Sequence, residues 1–170
     1  RRQLKTLVGN AEFRLYVGIF VAAAVVVTVN LVYSSGVPVA RAIQYATFQV
    51  AAMQTSTGFA IDDFGLWPAL SQSVILVLMV VGACAGSTGG GFKVVRLLIV
   101  SRYAFREVVV AFSPRAIVPV KLGGETVPET MVAAIIGMAV LYGLSICAGF
   151  LIMAALGLDV LTALAATIAS

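Results

Sequence analysis

Three hydroxyl residues and a glycine, Thr55-Ser56-Thr57-Gly58, follow directly on a short apolar segment. Inside a membrane, irregular backbone is tolerated only where it is buried in protein or lines a watery path. Backbone carbonyls along such a path can replace the water around a cation, which is the chemistry of an ion filter. We therefore interpret residues 55–59 as one extended filter strand, with Gly58 supplying backbone angles closed to other residues. An ordinary helix C-cap and loop is the alternative.

A second unusual stretch, Gly86-Ser87-Thr88-Gly89-Gly90-Gly91, interrupts a long apolar run. The interruption leaves backbone N–H and C=O groups without helical partners at membrane depth. A break of this kind below a filter is typical of a mobile gate. Lys93 and Arg96 follow the break. We expect them either to repel cations or to hold the loop by hydrogen bonds, unless they reach to the lipid surface. Gly82 and Gly86 also form a GxxxG motif, which favours plain helix packing instead.

The elements that must position both stretches are apolar helices. Hydrophobic residues make up 61 % of the chain and charged residues 11 %, which is typical of an integral membrane protein and excludes an ordinary soluble domain. The apolar runs are long rather than alternating, so an all-α fold is favoured over a barrel. The chain has no histidine, and neither cysteine has a CxxC partner, which argues against zinc and disulfide chemistry.

Three apolar runs are long enough to cross all or most of a hydrocarbon core of about 30 Å as a helix, and a shorter one suits a re-entrant pore helix. The sequence therefore predicts helix–pore helix–helix repeats with a re-entrant pore loop and a glycine-broken second helix. The first repeat is expected over residues 1–110, as span 15–33, pore helix 39–53, filter 55–59, span 67–85, gating loop 86–91 and inner helix 92–110. A cytoplasmic connection over 111–128, a span over 129–156 and a second pore helix over 159–170 follow.

The beginning of a second repeat is visible in the sequence. Gly36 to Ala42 and Gly157 to Ala163 match at Gly, Val and Ala, and each stretch follows a long apolar span. Internal repeats are expected in membrane transport folds. One complete unit and part of another cannot close a ring around an ion, so we expect further repeats from the same chain or other chains. In the first span, Asn30 is predicted to hydrogen-bond to another helix.

The cations indicate which side of the membrane each segment faces. All of them except Arg41 fall within residues 1–14 or 93–121. By the positive-inside rule, both segments are cytoplasmic and the filter faces outward. A basic cytoplasmic surface of this kind suits membrane lipid headgroups or a regulatory subunit.

Taken in order, these residues resemble the Trk/Ktr/HKT superfamily of potassium transporters, and specifically its bacterial TrkH-like membrane subunits. The likeness covers essentially the whole chain. It is carried by several pieces, and most specifically by Gly82 to Arg96. The others are Phe48-Gln49-Val50, Thr55 to Phe59, Asp63-Phe64, Trp67-Pro68, Lys121-Leu122-Gly123 and Pro128-Glu129.

The resemblance implies four unequal repeats around one pore that takes up potassium ions, and this chain matches the third repeat and the start of the fourth. Thr55, Ser56, Thr57 and Gly58 match the residues that bind K⁺ through their carbonyls, and Gly86 to Gly91 match the gating loop. The family further implies the bacterial inner membrane, a homodimer and a cytosolic nucleotide-binding, TrkA-like partner, with no nucleic-acid partner.

Two other functions stay open on the residues alone. A secondary transporter would place its substrate at the broken helix, which requires a polar or charged partner there. A structural membrane assembly protein would use the GxxxG motif for helix contacts. An enzyme is disfavoured, because the sequence lacks histidine and an activated nucleophile.

Overall fold

The computed structural model describes residues 10–113, 119–122 and 125–169, and the expectations for residues 1–9, 114–118, 123–124 and 170 lie outside that range. In the described residues, six α-helices carry the fold: α1 Ala11–Ser35, α2 Val39–Gln54, α3 Ala69–Val81, α4 Val94–Phe112, α5 Glu129–Ala155 and α6 Val160–Ala169. A 3₁₀ turn, Phe64–Leu66, precedes α3, and a two-residue antiparallel pair, β1 Lys121–Leu122 with β2 Glu125–Thr126, precedes α5.

Helices α1 and α5 are long and apolar enough to cross a membrane. Helix α1 begins at Ala11 rather than at Leu15, because Asn10 caps it. The Asn10 Oδ1 atom accepts a hydrogen bond from the Glu12 N–H at 2.9 Å, which satisfies one of the amides that a helix start leaves unpaired. Polar residues therefore extend the first helix beyond the purely apolar run.

Each long helix is followed by a glycine with positive φ, after which a short helix begins. Gly36 has φ +63° between α1 and α2, and Gly157 has φ +89° between α5 and α6. The order of span, glycine and short helix thus occurs twice. Asp159 then caps α6, and hydrogen bonds from the side chain and N–H of Thr162 hold the pKa of its carboxyl below the ordinary value.

The span predicted over residues 67–85 is wrong in its extent. Helix α3 ends at Val81 after 13 residues, and the chain stays non-helical from Gly82 to Lys93. Gly82 has φ +68° and ψ −157°, a backbone conformation that residues with a Cβ atom avoid. The break therefore starts at Gly82, four residues before the predicted loop.

The main core lies between α1, α2 and α3, which all contact one another. Helix α2 contributes mainly small or β-branched buried side chains, Ala42, Ala46 and Val50, and α3 contributes the larger Ile75 and Leu78. The hydroxyl of the buried Ser71 on α3 donates to Asn30 Oδ1 on α1 at 2.7 Å. The interhelical hydrogen bond predicted at Asn30 is therefore confirmed.

The described residues of the connection before α5 pack against the neighbouring helices. Val120 and Val127 pack with Ile99 of α4 and Val132 of α5 in a second small core. The Arg106 guanidinium lies 2.5 Å from the Glu129 carboxylate and links α4 to the start of α5. The short strand pair forms here because Val120, just before β1, and Val127, just after β2, bury apolar surface in the same cluster.

Candidate functional site

The predicted filter begins as a helix C-cap rather than as an extended strand. The Ser56 N–H donates to the Met53 carbonyl at 3.1 Å, and the Thr57 N–H donates to the Ala52 carbonyl at 2.9 Å. This pair of bonds is the Schellman motif, whose left-handed position usually holds glycine. Here Ser56 holds it, with φ +57°. The alternative of a helix cap is thus correct for the first two residues, and the left-handed Gly58, φ +75°, lies beyond the cap.

The main chain after the cap presents free acceptors. Residues 55–58 are all exposed, and within the described parts of the chain their four carbonyl oxygens accept no hydrogen bond. The two threonine hydroxyls are occupied instead, since Thr55 Oγ1 donates to the Ala51 carbonyl at 2.7 Å and lies 2.5 Å from Thr57 Oγ1. The dipole of α2 also ends here with its negative pole, which favours a cation.

The glycine-rich break folds back on the end of α3. The N–H groups of Phe92 and Lys93 donate to the carbonyls of Val80 and Val81, both at 2.9 Å. The two arms of the loop approach so closely that only glycine fits, because a Cβ atom on Gly82 would lie 2.3 Å from the Gly90 carbonyl oxygen. Gly82 therefore serves a backbone contact inside the loop, and the helix-packing interpretation of the GxxxG motif is wrong, since neither of its glycines lies in a helix.

The loop and the filter stretch lie against each other. A Cβ atom built on Gly89 would lie 3.1 Å from the Thr55 carbonyl oxygen, while Gly86 and Thr88 are exposed at the outer part of the loop. A cavity of about 280 Å³ opens between the filter, the loop and the end of α6. It is lined by Met53, Ser56, Gly58, Met79, Gly90, Gly91, Ile168 and Ala169.

The two cations after the loop differ in their contacts. Lys93 caps α4 with φ +74°, and its Nζ atom lies 3.1 Å from the Ser87 carbonyl and 3.4 Å from the Ala85 carbonyl. A cation at a helix N-terminus is unfavourable, and these carbonyls offset that repulsion. The half-buried Arg96 makes no side-chain hydrogen bond or ion pair to any described residue. The geometry of a loop tether therefore fits Lys93 and not Arg96.

Sequence reasoning missed the part that α1 plays at this site. Glu12 Oε1 accepts a hydrogen bond from the Ala85 N–H at 2.6 Å, across 73 residues of sequence. One turn further along α1, the Tyr16 carbonyl accepts from Nε2 of the buried Gln54 at 3.1 Å. The only signal in the sequence is that Glu12 is the one acidic residue in the basic stretch before the first span.

The comparisons with known proteins agree with this architecture. Residues 11–170 match the sequence profile of TrkH, described as a cation transport protein. The chain belongs to the TrkH family. It is 35 % identical over 173 residues to the Trk system potassium uptake protein TrkH of Escherichia coli K12, covering 99 % of this chain and 35 % of that protein. It is 36 % identical over 129 residues to TrkH of Vibrio parahaemolyticus, covering 76 % of this chain and 27 % of that protein.

The fold is shared with a solved member of the family. The crystal structure of the potassium transporter TrkH from Vibrio parahaemolyticus superposes with a TM-score of 0.88 and 32 % identity, over 97 % of this chain and 36 % of that one. The expectation of an all-α membrane fold is therefore confirmed, and the family is one of transport proteins rather than enzymes. The chain spans about a third of the length of these relatives.

Proposed function

We propose that this segment is the third of four pore repeats, with the start of the fourth, in a membrane protein that takes up potassium ions. In this proposal the carbonyl oxygens of Thr55, Ser56, Thr57 and Gly58 form one of four filter strands that bind K⁺ in place of water. The loop from Gly82 to Gly91 gates the path beside the filter. Relatives named as potassium uptake proteins support the choice of ion.

One observation carries the proposal. Four consecutive residues at the negative end of α2 are exposed, their carbonyls accept no hydrogen bond from the described residues, and the glycine loop approaches the first of these carbonyls at Gly89. Free carbonyls at membrane depth are costly unless they meet a ligand or water. A desolvated cation is the ligand that compensates them. One strand cannot surround an ion, so the other three strands must come from the rest of the full-length protein.

The same proposal places the protein in the bacterial inner membrane, with residues 1–14 and 93–121 in the cytoplasm. Arg102, Arg106 and Lys121 line a shallow cytoplasmic pocket of about 280 Å³. We expect this basic surface to bind lipid headgroups or a cytosolic nucleotide-binding, TrkA-like regulatory subunit, and two copies of the full-length protein to form a homodimer. Co-purification with that subunit and mass measurement by light scattering test both expectations.

The decisive experiment compares two glycines that both have positive φ. Gly58 has φ +75° and Gly36 has φ +63°, and at both positions a Cβ atom would meet nothing within 4 Å. Serine therefore introduces similar strain at either site, while only Gly58 belongs to the proposed filter. Rb⁺ and Na⁺ uptake is measured for each variant of the full-length protein, in cells without other potassium uptake and at equal membrane expression.

We expect the Gly58→Ser variant to lose Rb⁺ uptake or to admit Na⁺. The Gly36→Ser variant should retain both uptake and selectivity. Equal effects of the two variants would assign the result to backbone strain rather than to ion contact. Unchanged uptake and selectivity in Gly58→Ser would overturn the filter assignment.

A further inference from the structure

We propose that Glu12 is a positioning residue that latches the gating loop, so that the cytoplasmic end of α1 controls the gate. This inference rests on the proposed function, in which the loop from Gly82 to Gly91 is the gate. Glu12 Oε1 lies 2.6 Å from the Ala85 nitrogen and accepts its hydrogen bond. Hydrogen bonds to a carboxylate are roughly twice as strong as those between neutral groups.

The Ala85 amide depends on Glu12. Within the described residues it has no other acceptor, and it lies in a non-helical segment, so no helical carbonyl replaces Glu12 when the side chain is lost. The amide then loses a hydrogen bond to a charged group, which is stronger than one between neutral groups. The Glu12 carboxylate therefore helps to hold the loop in its observed position, together with the Lys93 side chain and the backbone hydrogen bonds of Phe92 and Lys93.

The carboxylate is in turn held firmly by α1. Asn10 caps the helix through the Glu12 N–H, and a negative charge in the first turn is favoured by the helix dipole. One turn further along, the Tyr16 carbonyl accepts the Gln54 side chain, which precedes the first filter residue. The same two turns of α1 thus hold both the loop and the end of the pore helix. A shift of the cytoplasmic end of α1 would break the latch at Ala85 first, because Glu12 is the outermost of these contacts.

The test uses Cys84, the neighbour of Ala85, as a reporter of loop position. Cys84 is a free, half-buried thiol, whereas Cys147 is exposed and is replaced by serine in every variant, as is any cysteine outside this segment. Full-length protein in inside-out vesicles is treated with a charged, membrane-impermeant methanethiosulfonate. The labelling rate of Cys84 is measured over a range of pH and compared per thiolate, because removing the Glu12 charge acts on the ionisation of the neighbouring thiol as well as on the loop. The Rb⁺ leak is measured in parallel, for Glu12→Ala, Glu12→Gln and the matched control Glu107→Ala.

We expect Glu12→Ala to speed Cys84 labelling about tenfold or more, the factor by which losing a hydrogen bond to a charged group shifts an equilibrium, and to raise the Rb⁺ leak. Glu12→Gln retains a carbonyl acceptor and should fall between Glu12→Ala and the wild type. It also guards against a folding defect in the alanine variant. Glu107→Ala, which changes an exposed glutamate of α4, should label like the wild type.

Three outcomes separate the latch from the gate. Faster labelling together with a larger leak supports the inference. Labelling of Glu12→Ala at the rate of Glu107→Ala overturns the latch, whatever the Gly58→Ser experiment gives. Faster labelling with an unchanged leak would show that Glu12 holds the loop but that releasing the loop does not open the path. That result overturns Glu12 as a gating residue and contradicts the gating role proposed for the loop.

Discussion

Glu12 and Lys93 hold the same residue, Ala85, from the two ends of its main chain. The Glu12 carboxylate accepts from the Ala85 N–H at 2.6 Å, and the Lys93 ammonium lies 3.4 Å from the Ala85 carbonyl. These side chains come from the start of α1 and the start of α4. A loop without helical hydrogen bonds is therefore fixed by two opposite charges as well as by packing, which makes its position sensitive to either side chain.

The first prediction concerns the Lys93 side chain. Lys93→Asn keeps a residue that tolerates positive φ but is too short to reach the carbonyls of Ser87 and Ala85. We expect a higher Rb⁺ leak through the full-length protein, because the loop loses charge-assisted hydrogen bonds. Flux into proteoliposomes measures the effect, at matched protein content.

Arg96→Gln is the matched control for Lys93. It removes a neighbouring cation that makes no side-chain hydrogen bond or ion pair to any described residue. If the two cations act only by repelling ions from the pore, both variants should raise flux alike. A larger effect at Arg96 than at Lys93 would contradict the loop tether.

The second prediction concerns the close contact inside the loop. Gly82→Ala places a Cβ atom 2.3 Å from the Gly90 carbonyl oxygen, on a backbone with φ +68°. The loop must shift, and the strained backbone alone is worth about 1–3 kcal/mol. We expect the thermal midpoint of the purified full-length protein to fall and the Rb⁺ flux to change.

Gly86→Ala is the control in the same loop, since a Cβ atom there meets nothing within 4 Å. It should leave the thermal midpoint close to that of the wild type. The GxxxG interpretation requires similar sensitivity at both glycines. Equal destabilisation by the two substitutions would therefore argue against the close contact between Gly82 and Gly90.

The large features of the fold follow from the sequence. The long apolar runs predict the helices α1 and α5, and the glycine-rich interruption of another apolar run predicts the loop. Asn30 inside a span had to find a polar partner, and Ser71 supplies it. These features depend on local composition and on the cost of burying polar groups, so neighbouring residues are enough to predict them.

The finer geometry of the site depends on contacts that no local pattern encodes. The end of α3 at Gly82 reflects the approach of Gly90 and Gly91 from the other arm of the loop. The contact between Glu12 and Ala85 joins residues 73 positions apart. The left-handed Ser56 carries no sequence signal either, because serine takes this conformation only when the surrounding structure imposes it.

The third prediction follows from that left-handed serine. Ser56→Gly relieves a conformation that is destabilising by about 1–2 kcal/mol for a residue with a Cβ atom, against about 0.5–1 kcal/mol of extra chain entropy lost by glycine. We expect the thermal midpoint of the full-length protein to rise slightly. Ser56→Val, which adds a β-branched side chain at positive φ, should lower it. A midpoint that falls in Ser56→Gly would show that the C-cap geometry is not retained in the assembled pore.

The fourth prediction concerns the hydrogen bond that joins the two outer helices of the repeat. Ser71 Oγ donates to Asn30 Oδ1 at 2.7 Å, and Ser71 has no exposed surface. Because lipid offers these groups no other partner, Ser71→Ala and Asn30→Leu should each destabilise the full-length protein. The double variant should be more stable than the sum of the single effects predicts. We expect a coupling of about 0.6–1.7 kcal/mol, the average and upper values for such bonds in membranes.

A second double-mutant cycle on the same two helices serves as the control for this prediction. Thr28 on α1 bonds the Ala24 carbonyl, and Ser73 on α3 bonds the Ala69 carbonyl, so each hydroxyl is satisfied within its own helix. Thr28→Ala and Ser73→Ala should therefore be additive. Unfolding free energies of all variants in bicelles give both couplings. If the Asn30–Ser71 coupling is no larger than the Thr28–Ser73 coupling, the hydrogen bond does not hold α1 against α3, and apolar packing of Val27, Leu31, Ile75 and Leu78 must suffice.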